Sequence, residues 1–531
     1  HDTVTSPHHT KIPPADADVI IIGAGINGLT CGAVLAAQAN LRVVVLEARE
    51  RPGGLCETRQ IIPGYRVPVF AHWLGPLDLA LAKALKLHKH GFAIAANRLG
   101  AVALDFEGRH LFLDGHARRG GGALASHSEA DAKQWPIFDA AMRKAATSVA
   151  PWLTESPLQA GGAKSGFLAV AKPKGAIEAL PIGVVPLIMP SIASLLEQQF
   201  QSPSLCAAIA FEAIVGSGLS PRDPGTAWRW LHRLALEAGR QEGPMHVTGG
   251  PGAYIHALAS AAKEYGVDIR LRSPVASIIA ENGQVLGANL QDGTQIFSPV
   301  VISSIDPYTT LTRLGVARAL PLGLKRTLRA MHGRPRVGVA KVNLALSGQP
   351  VIRGIDPRDL RSRFLIVRSL AALERAYATA EAGELPDELA IEFVMPSAFD
   401  PTLAPQSGAV ISALVCWVPT AGPDSQKNEI AKRTIGTLGH YLPDLPSRVI
   451  AVDVQTPQDL TAITGRADAN WAAAGVPDYV AVSDNPYSGP LKGLFFCGEG
   501  MHPRAGAVGL TGRNAAEALL ATVLRNSIKD R

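Results

Sequence analysis

A chain of 531 residues with 47% hydrophobic and 18% charged side chains is long enough for two domains and too apolar for a disordered polymer. Its 51 basic and 45 acidic side chains give a net charge of +6 without blocks of like charge, which leaves nucleic-acid binding unsupported and allows at most a visit to an anionic membrane surface. Five scattered cysteines without a CxxC pair, and no apolar run of about 18 residues, argue against a disulfide framework, a zinc site or a transmembrane helix. A cytoplasmic location follows, with peripheral contact at a membrane as the variant.

Residues 1–16, polar and rich in Pro and His, read as a flexible tail. After them Val19-Ile20-Ile21-Ile22 reads as a buried parallel strand running into Gly23-Ala24-Gly25-Ile26-Asn27-Gly28. A helix over 29–39 and a second strand, Val43-Val44-Val45-Leu46, complete a βαβ unit ending at Glu47. The glycines serve different physical ends, since Gly23 turns the chain, Gly25 lets a pyrophosphate approach the backbone, and Gly28 lets helix and strand pack closely. The diphosphate would sit on the helix N-terminus, with Ile26 and Asn27 in its first turn. Glu47, nineteen residues after Gly28, suits a ribose diol and would repel a 2′-phosphate. Immediately beyond it, Ala48 and Arg49 lead to a second glycine pair, Gly53-Gly54, followed by Leu55. That extension favours FAD, held non-covalently, over NAD.

The segment 18–64, with Gly-Gly-Leu-Cys-Glu-Thr and Ile-Ile-Pro-Gly-Tyr, resembles phytoene-desaturase-like flavoproteins. It is most similar to the branch holding carotenoid ketolases and the pyridine nucleotide-disulfide oxidoreductase domain-containing protein 2 group. Two later segments carry the same resemblance. Gly249-Gly250-Pro251-Gly252-Ala253 opens a helix, and strands around 267–271, 274–279 and 285–290 follow, with Glu281-Asn282-Gly283 as a turn. The resemblance implies that the backbone of Val275 pairs with the adenine; an ordinary core valine is the alternative. Near the C-terminus, Gly493 to Cys497 reads as a short strand delivering Gly498-Glu499-Gly500, with a helix from about Leu510. By resemblance Glu499 contacts the ribityl or diphosphate side, Gly498 and Val508 join the cofactor contacts, and the last helix points its positive end at the flavin. Arg504 and Ala505 depart from the glycine-richer loop of relatives.

This spacing implies an α/β architecture, α+β overall: a Rossmann-type FAD-binding domain with an inserted substrate-binding domain. The expected boundaries are 17–114, 245–344 and 481–531 for FAD binding, and 115–244 with 345–480 for substrate. Gly120-Gly121-Gly122 and Gly161-Gly162 read as loops. The apolar stretch 180–196, broken by Pro181, Pro186 and Pro190, reads as a buried cap segment, a substrate tunnel lining or a membrane contact.

The catalytic candidates are His72 and Trp73, from Phe70-Ala71-His72-Trp73-Leu74-Gly75, and His502 beside the last motif; a turn-capping histidine and a core tryptophan are the plain alternatives. Glu57 and Arg59 are further cofactor candidates, Arg51 a candidate for diphosphate neutralisation, and no metal-ligand set stands out. The expected function is hydride removal from a small apolar, polyene- or isoprenoid-like substrate by FAD, with dioxygen or a quinone as final acceptor. The alternatives are an amine or alcohol oxidase using dioxygen, and a non-catalytic flavin-binding interaction protein.

Overall fold

The computed structural model describes residues 14–113, 123–154, 187, 189–240, 243–330, 336–423, 426–465, 487–503 and 509–529. The tail to residue 13, both loop glycine clusters, residues 180–186 and 188 of the 180–196 stretch, and Arg504, Ala505 and Val508 lie outside the described residues.

The run Val19–Ile22 forms the centre of a five-stranded parallel sheet ordered Leu494–Phe496, Val301–Ser303, Val19–Ile22, Val43–Leu46, Asp268–Arg270. Four of these strands are buried along their whole length, as a parallel sheet covered on both faces requires; charged Asp268 and Arg270 are exposed on an edge strand. The strands come from three separated stretches of chain, so the nucleotide fold is closed only when the C-terminal segment adds its strand. The helix Ile26–Ala39 follows the central strand and packs on the helices Pro251–Glu264 and Leu510–Lys529. Its contact with the last helix is backbone-close: a Cβ at Gly512 would stand 2.1 Å from the Asn27 carbonyl oxygen. A three-stranded antiparallel sheet, Val275–Glu281, Gln284–Leu290 and Gln295–Phe297, follows the nucleotide sheet's edge. Its first turn has positive φ at Asn282 and Gly283, the conformation an Asn-Gly pair favours.

A seven-stranded sheet carries the rest, in the order Val449–Gln455, Val337–Leu346, Ala409–Pro419, Ala390–Val394, Arg363–Ile366, Ala101–Ala103, Leu111–Phe112. On one face Val342, Leu344, Phe364, Phe393 and Ile411 form an apolar core closed by Ile430 and Leu438 of the helix Gln426–Tyr441. Alternation along the same strands places Lys341, Asn343, Arg363, Glu392 and Ser412 on the other face, all buried. Helices Glu129–Thr154, Pro203–Ile214 and Thr226–Arg240 pack together beside the sheet.

Ala101–Ala103, Leu111–Phe112 and Val337–Leu346 belong to the seven-stranded sheet, whereas the sequence reading draws the FAD-binding domain to residue 114 and again to 344. Backbone pairing decides this: Ala101–Ala103 runs parallel to Arg363–Ile366, and Val337–Leu346 pairs along its length with Ala409–Pro419. A short alternating run does not announce which sheet it will join.

The Gly512 contact gives a direct test. Gly512→Leu must push the two helices apart and is expected to cost roughly 2–4 kcal/mol in denaturant unfolding. Gly436→Ala, at a helical site where a Cβ meets nothing within 4 Å, is expected to stabilise by about 0.5–1 kcal/mol in the same measurement.

Candidate active site

Three chain-distant motifs meet at the C-terminal end of the central strand. Gly23 has φ +97°, and a Cβ there would stand 2.4 Å from Ser304 Oγ, which itself donates to the Ile22 carbonyl at 2.8 Å. On the other side of Ser304, a Cβ at Gly498 would stand 2.5 Å from the Ser304 carbonyl oxygen. A Cβ at Gly28 would overlap the Gly23 carbonyl, at 2.0 Å. Gly25 differs from all of these: a Cβ there would meet nothing within 4 Å, and its φ of −77° suits any residue. The protein itself therefore does not require glycine at position 25; a ligand lying against the backbone does. Gly25 is also the N-cap of the first helix without a side-chain cap, which leaves the N–H groups of Ile26 and Asn27 directed at that open space.

Glu47 stands beside this turn with its carboxylate fixed by its own neighbours. Oε2 accepts from Ala24 N–H at 2.8 Å and Oε1 from Arg49 N–H at 3.0 Å. The N–H groups of Arg272 and Ser273 donate to the carbonyls of Arg49 and Glu47, which brings Val275 within two residues of the acid's contact. Gly53 donates to the Ala24 carbonyl at 3.0 Å, so the second glycine pair folds onto the first. Ala48 is exposed and Leu55 half-buried. Arg49 is held by Glu57 at 2.6 Å and leaves one buried guanidinium nitrogen, Nη1, without a hydrogen-bond partner among the described residues. Arg51, the sequence candidate for neutralising a diphosphate, is instead exposed beside Glu50. Arg59 reaches away from the cradle to Asp453 of the seven-stranded sheet. The last helix adds a second N-terminus, where Gly512 N–H donates to Asn27 Oδ1 at 3.3 Å. Open space over Gly25, an uncapped helix N-terminus beside it and a guanidinium nitrogen without a hydrogen-bond partner fit FAD. Cys56 is no candidate for a covalent flavin bond, because burial, reinforced by the charge of Glu499, pushes its thiol up to about 12.

From the second glycine pair the chain leads to the polar face of the larger sheet. Ala71 N–H donates to the Leu55 carbonyl, and the next two residues, His72 and Trp73, meet Glu392. Trp73 Nε1 donates to Glu392 Oε1 at 2.7 Å; His72 Nε2 lies 2.9 Å from the same oxygen and His72 Nδ1 3.1 Å from the Ser412 carbonyl. Arg363 donates to Glu392 Oε2 at 2.8 Å and forms a two-pronged pair with Glu212 at 2.7 and 2.9 Å. The guanidiniums of Arg363 and Arg233 lie 5.2 and 5.7 Å from the centre of the Trp73 ring. Sequence reasoning found His72 and Trp73 but gave them open roles; the structure engages both His72 ring nitrogens and the Trp73 N–H in an ion network. Burial, though opposed by Glu392, pushes His72 down to about 4, while Arg363 holds the Glu392 carboxyl far below the usual range. His502 is buried on the other side: its carbonyl accepts from Tyr487 O–H at 2.9 Å, and His232 Nε2 lies 2.6 Å from the next carbonyl, that of Pro503.

Sequence reasoning missed Lys341. Its side chain is fully buried, its Nζ has no hydrogen-bond partner among the described residues, and burial holds its pKa well below the usual lysine range. Two residues along the same strand face, Asn343 donates to the Pro68 carbonyl at 3.0 Å, which ties this face to the segment leading to His72. Among the described residues no His, Cys, Asp and Glu cluster suits a metal, and no helix is long and apolar enough to cross a membrane.

A dinucleotide cradle that leaves one glycine open to a ligand, facing a second sheet with a buried polar face, defines an FAD-dependent oxidoreductase. The chain belongs to the flavin containing amine oxidoreductase family, which it matches over residues 26–520. It is 29% identical to the pyridine nucleotide-disulfide oxidoreductase domain-containing protein 2 of Rattus norvegicus, over 94% of this chain and 92% of that protein. It is 24% identical to the hydroxyneurosporene desaturase of Cereibacter sphaeroides, over 96% and 98%. In structure it is similar to the cyclohexylamine oxidase of Brevibacterium oxydans, with a TM-score of 0.56 and 15% identity over 97% and 100% of the two chains.

The buried histidines set a pH dependence. His72 and His246 are lowered to about 4 and about 3, each chiefly by burial. The unfolded chain takes up their protons first, so their contribution is complete above about pH 6.5 and is lost as pH falls towards 4. Urea midpoints measured from pH 7 to 4.5 are expected to fall with pH, and to fall less steeply in His246→Phe.

Proposed function

We propose that this FAD-dependent oxidoreductase removes a hydride and a proton from an apolar, polyene- or isoprenoid-like substrate, leaving a new double bond. One observation carries the reading: Arg363 pairs with both carboxylates beside it on the polar face of the large sheet, while the buried Lys341 Nζ has no hydrogen-bond partner among the described residues and burial lowers its pKa. The carboxylates of Glu392 and Glu212 on this face are both held by Arg363, which disfavours a cationic amine there. The desaturase among the relatives supports the same chemistry.

FAD, when bound, supplies the two-electron acceptor. The chain supplies the rest. Gly25, the first-helix N-terminus and Glu47 hold the diphosphate and ribose; His72 and Trp73 are fixed by Glu392 and shape the face beside it. Lys341 takes the substrate proton as the second C–H bond breaks, and the ammonium so formed is stabilised by Glu392 and Asp453, the two carboxylates whose charges oppose the lowering of its pKa. His72, with both ring nitrogens engaged, is a positioning residue. The electron acceptor that follows, dioxygen or a quinone, is read from the rate at which each reoxidises the reduced enzyme.

An anaerobic panel of polyenes, amines and alcohols tests the reading. Polyenes are expected to bleach the oxidised flavin; bleaching by amines alone contradicts the proposal and favours an amine oxidase. Lys341→Met is expected to retain FAD and to slow bleaching by about a hundredfold, the usual weight of a general base.

A further inference from the structure

Apart from the cradle, the fold contains a cavity of about 800 Å³ between the helices Glu129–Thr154 and Thr226–Arg240 and the edge of the seven-stranded sheet. None of its lining residues belongs to the glycine motifs. Its volume is that of a site for a small organic molecule. The wall is mixed, with Trp135 and Trp230 beside Ile209, Leu99 and Leu234. Trp230 is fixed by stacking on Phe138, with ring centres 5.8 Å apart.

The charges of the wall do not cancel. Five guanidinium groups line the cavity against four carboxylates. Glu212 is consumed by Arg363 and Arg233, which form the floor and cover the Trp73 ring. At the mouth, Arg143 uses only Nε, on Asp139 at 2.8 Å, and Arg361 has no acceptor among the described residues. Asp359 stands beside them, half-buried. Glu237 lies deeper, with Arg233 Nε at 3.6 Å.

We propose that this cavity binds an amphipathic carboxylate, its acid group on Arg143 and Arg361 at the mouth and its apolar body along Trp135 and Trp230. Guanidinium forks match a carboxylate in charge and geometry, and the aromatic walls take a hydrocarbon body. The ligand's far end then rests on the Arg363 and Glu212 pair, one layer from Trp73 and Glu392. A carboxylate here is the end group of the substrate itself or a separate effector, and the two differ in what they do to turnover.

The test is calorimetric titration of the FAD-bound enzyme with decanoate, using decanol as the uncharged control. Decanoate is expected to bind about tenfold more tightly than decanol, and the double variant Arg143→Gln, Arg361→Gln to lose about tenfold for decanoate alone. Both positions are exposed, so the variant is expected to keep its FAD content and unfolding midpoint. Equal binding of the two probes, or unchanged decanoate binding in the double variant, overturns the proposal. In turnover with a reducing substrate from the panel, decanoate that raises KM alone shares the substrate's place, whereas decanoate that changes kcat alone acts as an effector; both support the site. Decanoate binding by an enzyme that no polyene reduces would leave this inference standing and the proposed substrate class refuted.

Discussion

The close approach of backbone at Ser304 is the constraint on which the molecule depends. Gly23 leans on its side chain and Gly498 on its carbonyl, and neither position has room for a Cβ. Because these residues come from the beginning, middle and end of the chain, the contact gathers three motifs at one end of a parallel sheet. Such a site exists only in the folded protein and is lost cooperatively with it. What the packing leaves unfilled is as informative as what it fills: a Cβ at Gly25 would meet nothing within 4 Å, and the first helix starts there without a side-chain cap.

The second constraint is electrostatic. His72, Glu392, Arg363 and Glu212 form a chain of contacts between 2.7 and 2.9 Å running from the loop beside the cradle, through the large sheet, to the helices behind it. Burying these charges costs several kcal/mol each, which their pairing offsets only when the geometry is complete. The network therefore fixes how the sheet meets the loop carrying His72 and Trp73, and leaves Lys341 as the buried base it does not neutralise. Fold and chemistry are coupled here: the groups that hold the two sheets together are also those that set the charge state of the reaction face.

Much of this was legible in the sequence. Gly23, Gly28, Gly53, Gly54 and Gly498 stand out because positive φ or close backbone approach dictates them locally, and Gly25 and Glu47 because they fall at fixed places between recognisable strands and a helix. The sheet membership of residues 101–112 and 337–346 was not legible, since alternation specifies a strand but not its neighbour. His72 and Trp73 were visible as polar groups in an apolar run, but their partner Glu392 lies some 320 residues away and nothing local announces it. Lys341 did leave a signal: in Val337-Gly338-Val339-Ala340-Lys341-Val342-Asn343-Leu344 a charged residue sits directly between the apolar Ala340 and Val342 in a predominantly apolar run. In a strand buried on both faces such a lysine is costly, and its presence marks a site rather than a surface.

The most direct measurement compares the flavin content of the purified protein with that of Gly25→Val, by absorption and by mass of the chromophore released with acid. The account predicts stoichiometric FAD in the parent and none in the variant, with the unfolding midpoint of the ligand-free forms unchanged, because the protein has room for the side chain and the ligand does not. A colourless parent that takes up no added FAD, or a Gly25→Val protein that keeps its flavin, would contradict it.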